Sequence, residues 1–534
     1  MRSIEIMRLN MKFKPSKTLV IAAVIVAVCA TSIVIARASN VYDSLRLFND
    51  VLTRIRDEYV DRVDMDKLIQ GAIRGMLDTL DPHSNYLTKK QYDDLMISTH
   101  GSFGGLGIEI DIRNDWLTVI APIEGTPAHR AGIRGGDRIV KIEGESTRGI
   151  SMNGAIEKLR GPKGTQITIT IQREGEAELN DYVITRDVIK IKSVPFATLL
   201  DGNVGYIRVA QFSEDTGDEL RQALSKLEMQ GMQKLILDLR RNPGGLLTEA
   251  IEVSEGFVKP GETVVSTKGR RAEQNREYKA GSRSLGGDYP MAVLVDNTSA
   301  SASEIVAGAV QDLDRGIVVG SSTFGKGTVQ SVIRLPGEGA LKLTTSKYYT
   351  PSGRCINKDE GEDEESAIML PEGAKADSGT AYYTSGGRVV YGGGGIRPDV
   401  EMKQEDIPRI AGGLARQGLV FEFAVHYVAS RKDVEDLDLR NEAALLKEFE
   451  QFIQTKGFQY TEAEFEEGRD FVGIMLRSEI ARKIWGDDAA YAISIEGDTQ
   501  LRQTADLLRK ADDLSGLFRV AAEQPRAAEA APAK

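Results

Sequence analysis

Ser301 and Lys326 stand 25 residues apart, and none of the four histidines (His83, His100, His129, His426) falls between about residues 190 and 404. A serine nucleophile in this stretch would need another base, and lysine is the obvious one, which points to Ser-Lys hydrolysis rather than a Ser-His-Asp triad. Ser301 follows the apolar run Met291–Val295 and precedes a helical pattern. At such a strand-to-helix turn a hydroxyl projects beside free backbone N–H groups. The same residues also read as a capping box, Ser301-Ala302-Ser303-Glu304, in which the serine only starts the helix. Lys326 sits between Gly325 and Gly327. To act as a base it must be neutral, which requires burial or nearby positive charge to pull it below its usual range near ~10.4; otherwise it is a surface turn lysine. Gln330 can orient the amine, or be an ordinary strand residue. In Asn242-Pro243-Gly244-Gly245 a strand ends in glycines. This is either a plain βα connection or a nest whose N–H groups, with that of Ala302, stabilise an oxyanion.

Several elements must position these groups. Val204–Val209, Lys234–Leu239, Met291–Val295 and Ile317–Gly320 read as strands alternating with helical patterns at 215–230, 246–257 and 303–313, an α/β arrangement. Residues 40–100 read as helical, with Leu45, Phe48, Val51, Leu52 and Ile55 at helical spacing. The turn Asp81-Pro82-His83-Ser84 ends that region and explains His83 structurally. Residues 101–186 read as a small β-rich unit with two short helices. Residues 405–522 read as further helices, and 523–534 as a Pro/Ala-rich disordered tail.

The order of elements in 101–186 resembles a PDZ domain, with Phe103-Gly104-Gly105-Leu106-Gly107-Ile108 where that family has its carboxylate-binding loop. Successive N–H groups beside glycines can surround a terminal carboxylate, and the peptide behind it then adds as an edge strand.

Bulk properties exclude several classes. At 534 residues the chain holds about three to four domains at ~150 residues each. A net charge of -11 with 6% aromatics disfavours nucleic-acid binding. Two cysteines, Cys29 and Cys355, supply neither a disulfide framework nor a cysteine zinc site in the body, and no cofactor is expected. Asp359–Glu365 reads as a solvated acidic insertion rather than a metal site. Arg2, Arg8, Lys12, Lys14 and Lys17 precede an apolar run from Leu19 to Ala36. Residues 1–38 thus read as an export signal, either cleaved or kept as an anchor, that sends the body across a membrane into a periplasm.

The motifs Ser299-Ala300-Ser301-Ala302-Ser303-Glu304-Ile305, Phe324-Gly325-Lys326-Gly327, Asn242-Pro243-Gly244-Gly245 and Tyr349-Thr350-Pro351-Ser352-Gly353-Arg354, in this order of roles, resemble the carboxyl-terminal processing peptidases. Leu80-Asp81-Pro82-His83-Ser84 and Arg388–Asp399 match the same family, so the resemblance covers about 41–404. It implies a crotonase-like catalytic core (190–404) with an inserted PDZ domain and helical terminal regions. It also implies Ser301 as nucleophile, Lys326 as general base, Gln330 holding the lysine, and Ala302 with Gly244 or Gly245 as oxyanion donors. Substrates would be exported proteins with free, apolar C-termini, and tail binding to the PDZ domain would gate the site. The terminal helices could build a homo-oligomer or dock an adaptor such as a repeat lipoprotein. The rival readings are an inactive PDZ scaffold, a penicillin-binding-type hydrolase, which the absence of Ser-x-x-Lys opposes, and a thioester-handling crotonase, which export opposes.

Overall fold

The computed structural model describes residues 41–282, 286–336, 339–358, 380–431, 434 and 437–524. The apolar run 19–36, the acidic run 359–365 and the end of the tail lie outside these. Among the described residues no helix is long and apolar enough to cross a membrane. The chain divides into two compact units, Met1–Tyr86 and Leu87–Lys534.

In the first unit, residues 41–58 and Met65–Asp78 are helices. Asp64 caps the second by accepting from the N–H groups of Asp66 and Lys67. After it, the Asp81 carboxylate accepts from the N–H groups of His83 and Ser84 and from the Ser84 hydroxyl, each at 2.8 Å. The Asp-Pro-His-Ser turn is therefore built by Asp81, with His83 contributing its backbone.

The second unit contains a mostly parallel sheet in the order 196–200, 204–208, 234–238, 291–295, 317–320, 400–401. Its first pair is antiparallel and the remaining pairs are parallel. These strands read as continuous apolar runs because both faces are covered. On one face Ile207, Leu235, Leu237, Val293, Val295 and Val318 pack with the helices Thr216–Met229, Leu247–Glu255 and Ala302–Asp312. On the other, Tyr206, Ile236, Ala292, Leu294, Ile317 and Val319 pack with Leu501, Ala505, Leu508 and Leu517. The helices Thr499–Arg509 and Leu514–Ala522 thus form the sheet's second layer. Beside it stands an antiparallel sheet containing Thr263–Gly269, Arg276–Lys279, Thr328–Arg334 and Ala340–Tyr349.

Residues 108–185 form a smaller sheet in the order 108–113, 116–122, 138–142, 166–172, 180–185, with helices Pro127–Arg130 and Met152–Leu159. Its own core contains Leu117, Val119, Ile139, Ile169 and Ile171. One expectation changes here. Phe103, Gly104 and Gly105 are not loop: Ser102–Gly105 pairs antiparallel with Asp187–Lys190. Gly104 is needed for close approach, since a Cβ there would lie 2.2 Å from the Gly161 carbonyl oxygen.

The helices Arg409–Arg416, Leu419–Ala429, Glu442–Thr455 and Glu462–Trp485 enclose a separate core around Phe423, Phe449 and Leu476. They reach the small β unit where the Phe421 ring meets both the Arg113 guanidinium, at 4.2 Å, and the Lys483 ammonium, at 3.8 Å.

Candidate active site

Ser301 ends the turn after the central strand Met291–Val295 and immediately precedes the helix Ala302–Asp312. Its backbone is at φ 55°, ψ −110°, a conformation a non-glycine residue holds only when its surroundings impose it. Those surroundings are identifiable. Asp296 accepts from the N–H groups of Thr298 and Ser299, and the Ser299 hydroxyl donates to the Leu239 carbonyl at 2.8 Å. The Ala300 N–H donates to the Asn242 carbonyl at 3.0 Å. Among the described residues no helix N–H donates to the Ser301 hydroxyl; the Glu304 N–H donates to the Ser301 carbonyl instead, and the Glu304 side chain takes the Ser301 N–H, the reciprocal half of a capping box. The hydroxyl is therefore not committed to starting the helix.

Glu304 joins the two segments. Its side chain is fully buried, and its Oε2 accepts from the Ser301 N–H at 2.7 Å and the Lys326 N–H at 2.9 Å. Its Oε1 accepts from the Thr323 hydroxyl at 2.6 Å and the Gly325 N–H at 2.8 Å. Burial pushes the Glu304 carboxyl upward, and these four donors pull against it. On the carbonyl side, the buried Tyr348 hydroxyl lies 3.0 Å from the Ser301 oxygen and 2.5 Å from the Lys326 oxygen. Ser301 and Lys326 are thus bracketed by shared partners at both their N–H and their C=O groups. Burial, followed by the positive charge of Lys342, moves the Lys326 amine below its ordinary range, with Glu304 opposing. Among the described residues no hydrogen bond joins the Ser301 hydroxyl to the Lys326 amine.

The Asn242–Gly245 turn lies directly against this segment. A Cβ on Gly244 would sit 2.6 Å from the Ala300 oxygen and 2.9 Å from Ser301 Cβ, and φ there is 97°. The Asn242 side chain braces the turn, donating to the Val209 carbonyl and accepting from the Gly244 N–H, both at 2.9 Å. The Gly244 N–H is therefore occupied, whereas no acceptor among the described residues takes the N–H groups of Gly245 or Ala302. Among the described residues no hydrogen bond joins Gln330 to Lys326; the Gln330 amide donates to the Thr328 hydroxyl at 2.8 Å.

In the small β unit, Leu106 and Gly107 form the bend between Ser102–Gly105 and Ile108–Arg113. Their carbonyls are taken by Ala128, Ile123 and Thr126, while no acceptor among the described residues takes their N–H groups. Ile108–Arg113 pairs with Trp116–Pro122 on one side and is the sheet's edge on the other. Phe103, the first residue of the expected loop, lies under the Arg160 guanidinium at 4.9 Å.

Glu304 appeared in the sequence as a cap and as a member of one motif, never as a link to Lys326, and Tyr348 not at all. Glu304 carried a signal, an acid in a helix whose neighbours are all apolar or small. Asp238 and Arg240 carried another, charges at the end of a buried strand.

Three family models match this chain: peptidase family S41 over residues 203–365, a PDZ domain over 118–173, and the N-terminal domain of activating protease CtpB over 31–91. A carboxy-terminal-processing protease of Bartonella bacilliformis is 45% identical over 333 residues, 62% of this chain and 76% of that protein. The carboxy-terminal processing protease CtpA of Bacillus subtilis is 35% identical over 328 residues, 61% and 69% of the two. Among solved structures, a photosystem II D1 C-terminal processing protease is 30% identical, covers 69% of this chain and 90% of its own, and has a TM-score of 0.36.

Proposed function

The chain belongs to the carboxy-terminal processing proteases of peptidase family S41 and is a serine-type endopeptidase with a PDZ domain; from that premise we propose that Ser301 is its nucleophile and Lys326 its general base. The tail of a protein substrate lays its carboxylate on the N–H groups of Leu106 and Gly107. The residues before it extend along the open edge of Ile108–Arg113 as an added strand. Ser301 Oγ attacks the scissile carbonyl as neutral Lys326 takes its proton, and the N–H groups of Ala302 and Gly245 receive the oxyanion. Lys326 then protonates the leaving amine, and a water activated by the freed amine hydrolyses the acyl-enzyme. Gly245 is preferred to Gly244 because the latter's N–H is held by Asn242. Gln330, whose Nε2 donates to Thr328, keeps its Oε1 for the lysine amine and is proposed to hold it there once tail binding has assembled the site.

The observation that carries this reading is the shared Glu304 Oε2 between Ser301 and Lys326. The sheet with its helix starting at Ala302 supports a crotonase-like core at 190–404, flanked by helical regions at 40–100 and 405–522. The basic residues before the apolar run 19–36 support export to a periplasm, released or anchored. Substrates there are proteins with free, apolar C-termini. A homo-oligomer, or an adaptor lipoprotein on the terminal helices, completes the proposal. Cleavage of one peptide with a free C-terminus and of its amidated twin tests it. The free form is expected to have much the higher kcat/KM, with both lost in Ser301→Ala. Equal rates for the two peptides would remove the PDZ unit from substrate selection, and turnover by the alanine variant would remove Ser301.

A further inference from the structure

The helix Thr499–Arg509 lies along the strand that leads into the Asn242–Gly245 turn, and it is fastened to both ends of that strand. At the strand's start, the Lys234 amine donates to the Arg509 carbonyl at 3.3 Å. At its finish, Arg240 spans two carboxylates. Its Nε and Nη2 donate to Asp238 at 2.9 and 2.7 Å, and its Nη2 and Nη1 to Asp498 at 2.6 and 3.1 Å. Nη1 also donates to Gln500 at 3.0 Å, and Gln500 in turn holds the Met402 carbonyl. Asp238 is fully buried and is tied further to the Tyr206 hydroxyl and the Arg240 N–H. Burial works against the Arg240 charge, but the two carboxylates hold it firmly protonated.

The next residues are the turn itself. Arg241 has φ 58°, and its N–H is held by Asp296, the residue that also shapes the approach to Ser301. Two residues after Arg240, Asn242 receives the Ala300 N–H and the Ser303 hydroxyl on its carbonyl. A shift of Arg240 therefore moves the turn against the Ser301 segment, where the clearances are too small even for a Cβ on Gly244.

We infer that Asp498, from the C-terminal helical region, is a positioning residue for the peptidase reaction: through Arg240 it fixes the Asn242–Gly245 turn that offers N–H groups to the oxyanion. This rests on the reading of Ser301 as nucleophile and extends it by giving Asp498 and the helix it caps, Thr499–Arg509, a part in the chemistry. Such a part goes beyond closing the sheet's second face.

Asp498→Asn in the full chain is the direct probe. Asp498 Oδ1 also caps its helix through the Leu501 N–H, and asparagine keeps that cap while placing an amide against Arg240 Nη2. The expected result is a fall in kcat of about tenfold with KM for a tailed peptide unchanged, a modest fraction of what losing an oxyanion donor outright costs. A peptide aldehyde of the same sequence, whose hemiacetal oxygen uses the same donors, should bind weaker by the same factor. Asp498→Glu should restore part of both. Arg240→Lys, which cannot span two carboxylates, should show the same loss, and the double variant little more. Unchanged kcat and aldehyde affinity with only a lowered melting midpoint would overturn the inference. Loss of turnover in Ser301→Ala alongside that result would show that the nucleophile assignment stands without it.

Discussion

Glu304 offers the sharpest test of how the site is held together. Alanine at this position removes the acceptor from three backbone N–H groups, those of Ser301, Gly325 and Lys326. A buried N–H left without a partner costs about 1–3 kcal/mol, so the sum is about 3–9 kcal/mol unless water enters. That is comparable with the whole stability of an ordinary domain, about 5–15 kcal/mol. Glutamine is predicted to behave differently. Its oxygen can stay on the Ser301 and Lys326 side while its amide faces Thr323 and Gly325. The Thr323 hydroxyl already accepts from the Ile396 N–H and has a second lone pair for the amide. The Gly325 N–H then loses its partner and the Thr323 O–H must turn to another acceptor, a cost of about 1–3 kcal/mol for each group left unpaired. Glu304→Gln should therefore lose stability moderately and keep kcat within about tenfold, whereas Glu304→Ala should be severely destabilised and inactive. Urea unfolding and peptide turnover of the full chain measure both. Alanine and glutamine variants of equal stability and activity would show that the carboxylate does not hold the two segments together.

The lysine base makes the pH dependence specific. With Lys326 as the proposed base, the neutral amine is the active form, and kcat/KM is predicted to rise as pH passes the Lys326 pKa, which burial and Lys342 place below the ordinary lysine range. Lys342→Met removes a repelling positive charge, lets that pKa climb, and should move the rising limb to higher pH; an unmoved or oppositely shifted limb refutes the assignment. In the small β unit, Gly107 has φ 77°, and a Cβ there would lie 2.3 Å from Thr126 Cβ. Gly107→Ala should raise KM for a tailed peptide about tenfold or more, and an unchanged KM would place the tail elsewhere.

The catalytic sheet was legible because its strands are apolar on both faces, and Met291–Val295 and Ile317–Gly320 have the bounds the sequence suggested. The two short helices expected in the small β unit are present as Pro127–Arg130 and Met152–Leu159. What could not be read was anything depending on long-range pairing. Gly104 resembles loop glycine in sequence, but it is strand, because its partner at 187–190 lies some eighty residues on. Ser301 was ambiguous between cap and nucleophile because Ser-x-x-Glu fits both. Glu304 does cap, by taking the Ser301 N–H, but its own N–H goes to the Ser301 carbonyl, which leaves the hydroxyl out of the cap. Gln330 looked placed for the lysine by spacing alone, yet the strand register sets it beside Thr328 and Thr344. The role of residues 499–522 was invisible because an amphipathic helix does not say which sheet it covers.

Turnover of a tailed peptide by Lys326→Met in the full chain, across the pH range, tests the central claim most directly. Methionine keeps the apolar stem of the side chain and removes the amine that is proposed to accept the serine proton. The account predicts a fall of about 10²–10⁴-fold, loss of the rising pH limb, and a fold as stable as before. Turnover close to that of the unaltered chain, with its pH limb intact, would mean that some other base activates Ser301.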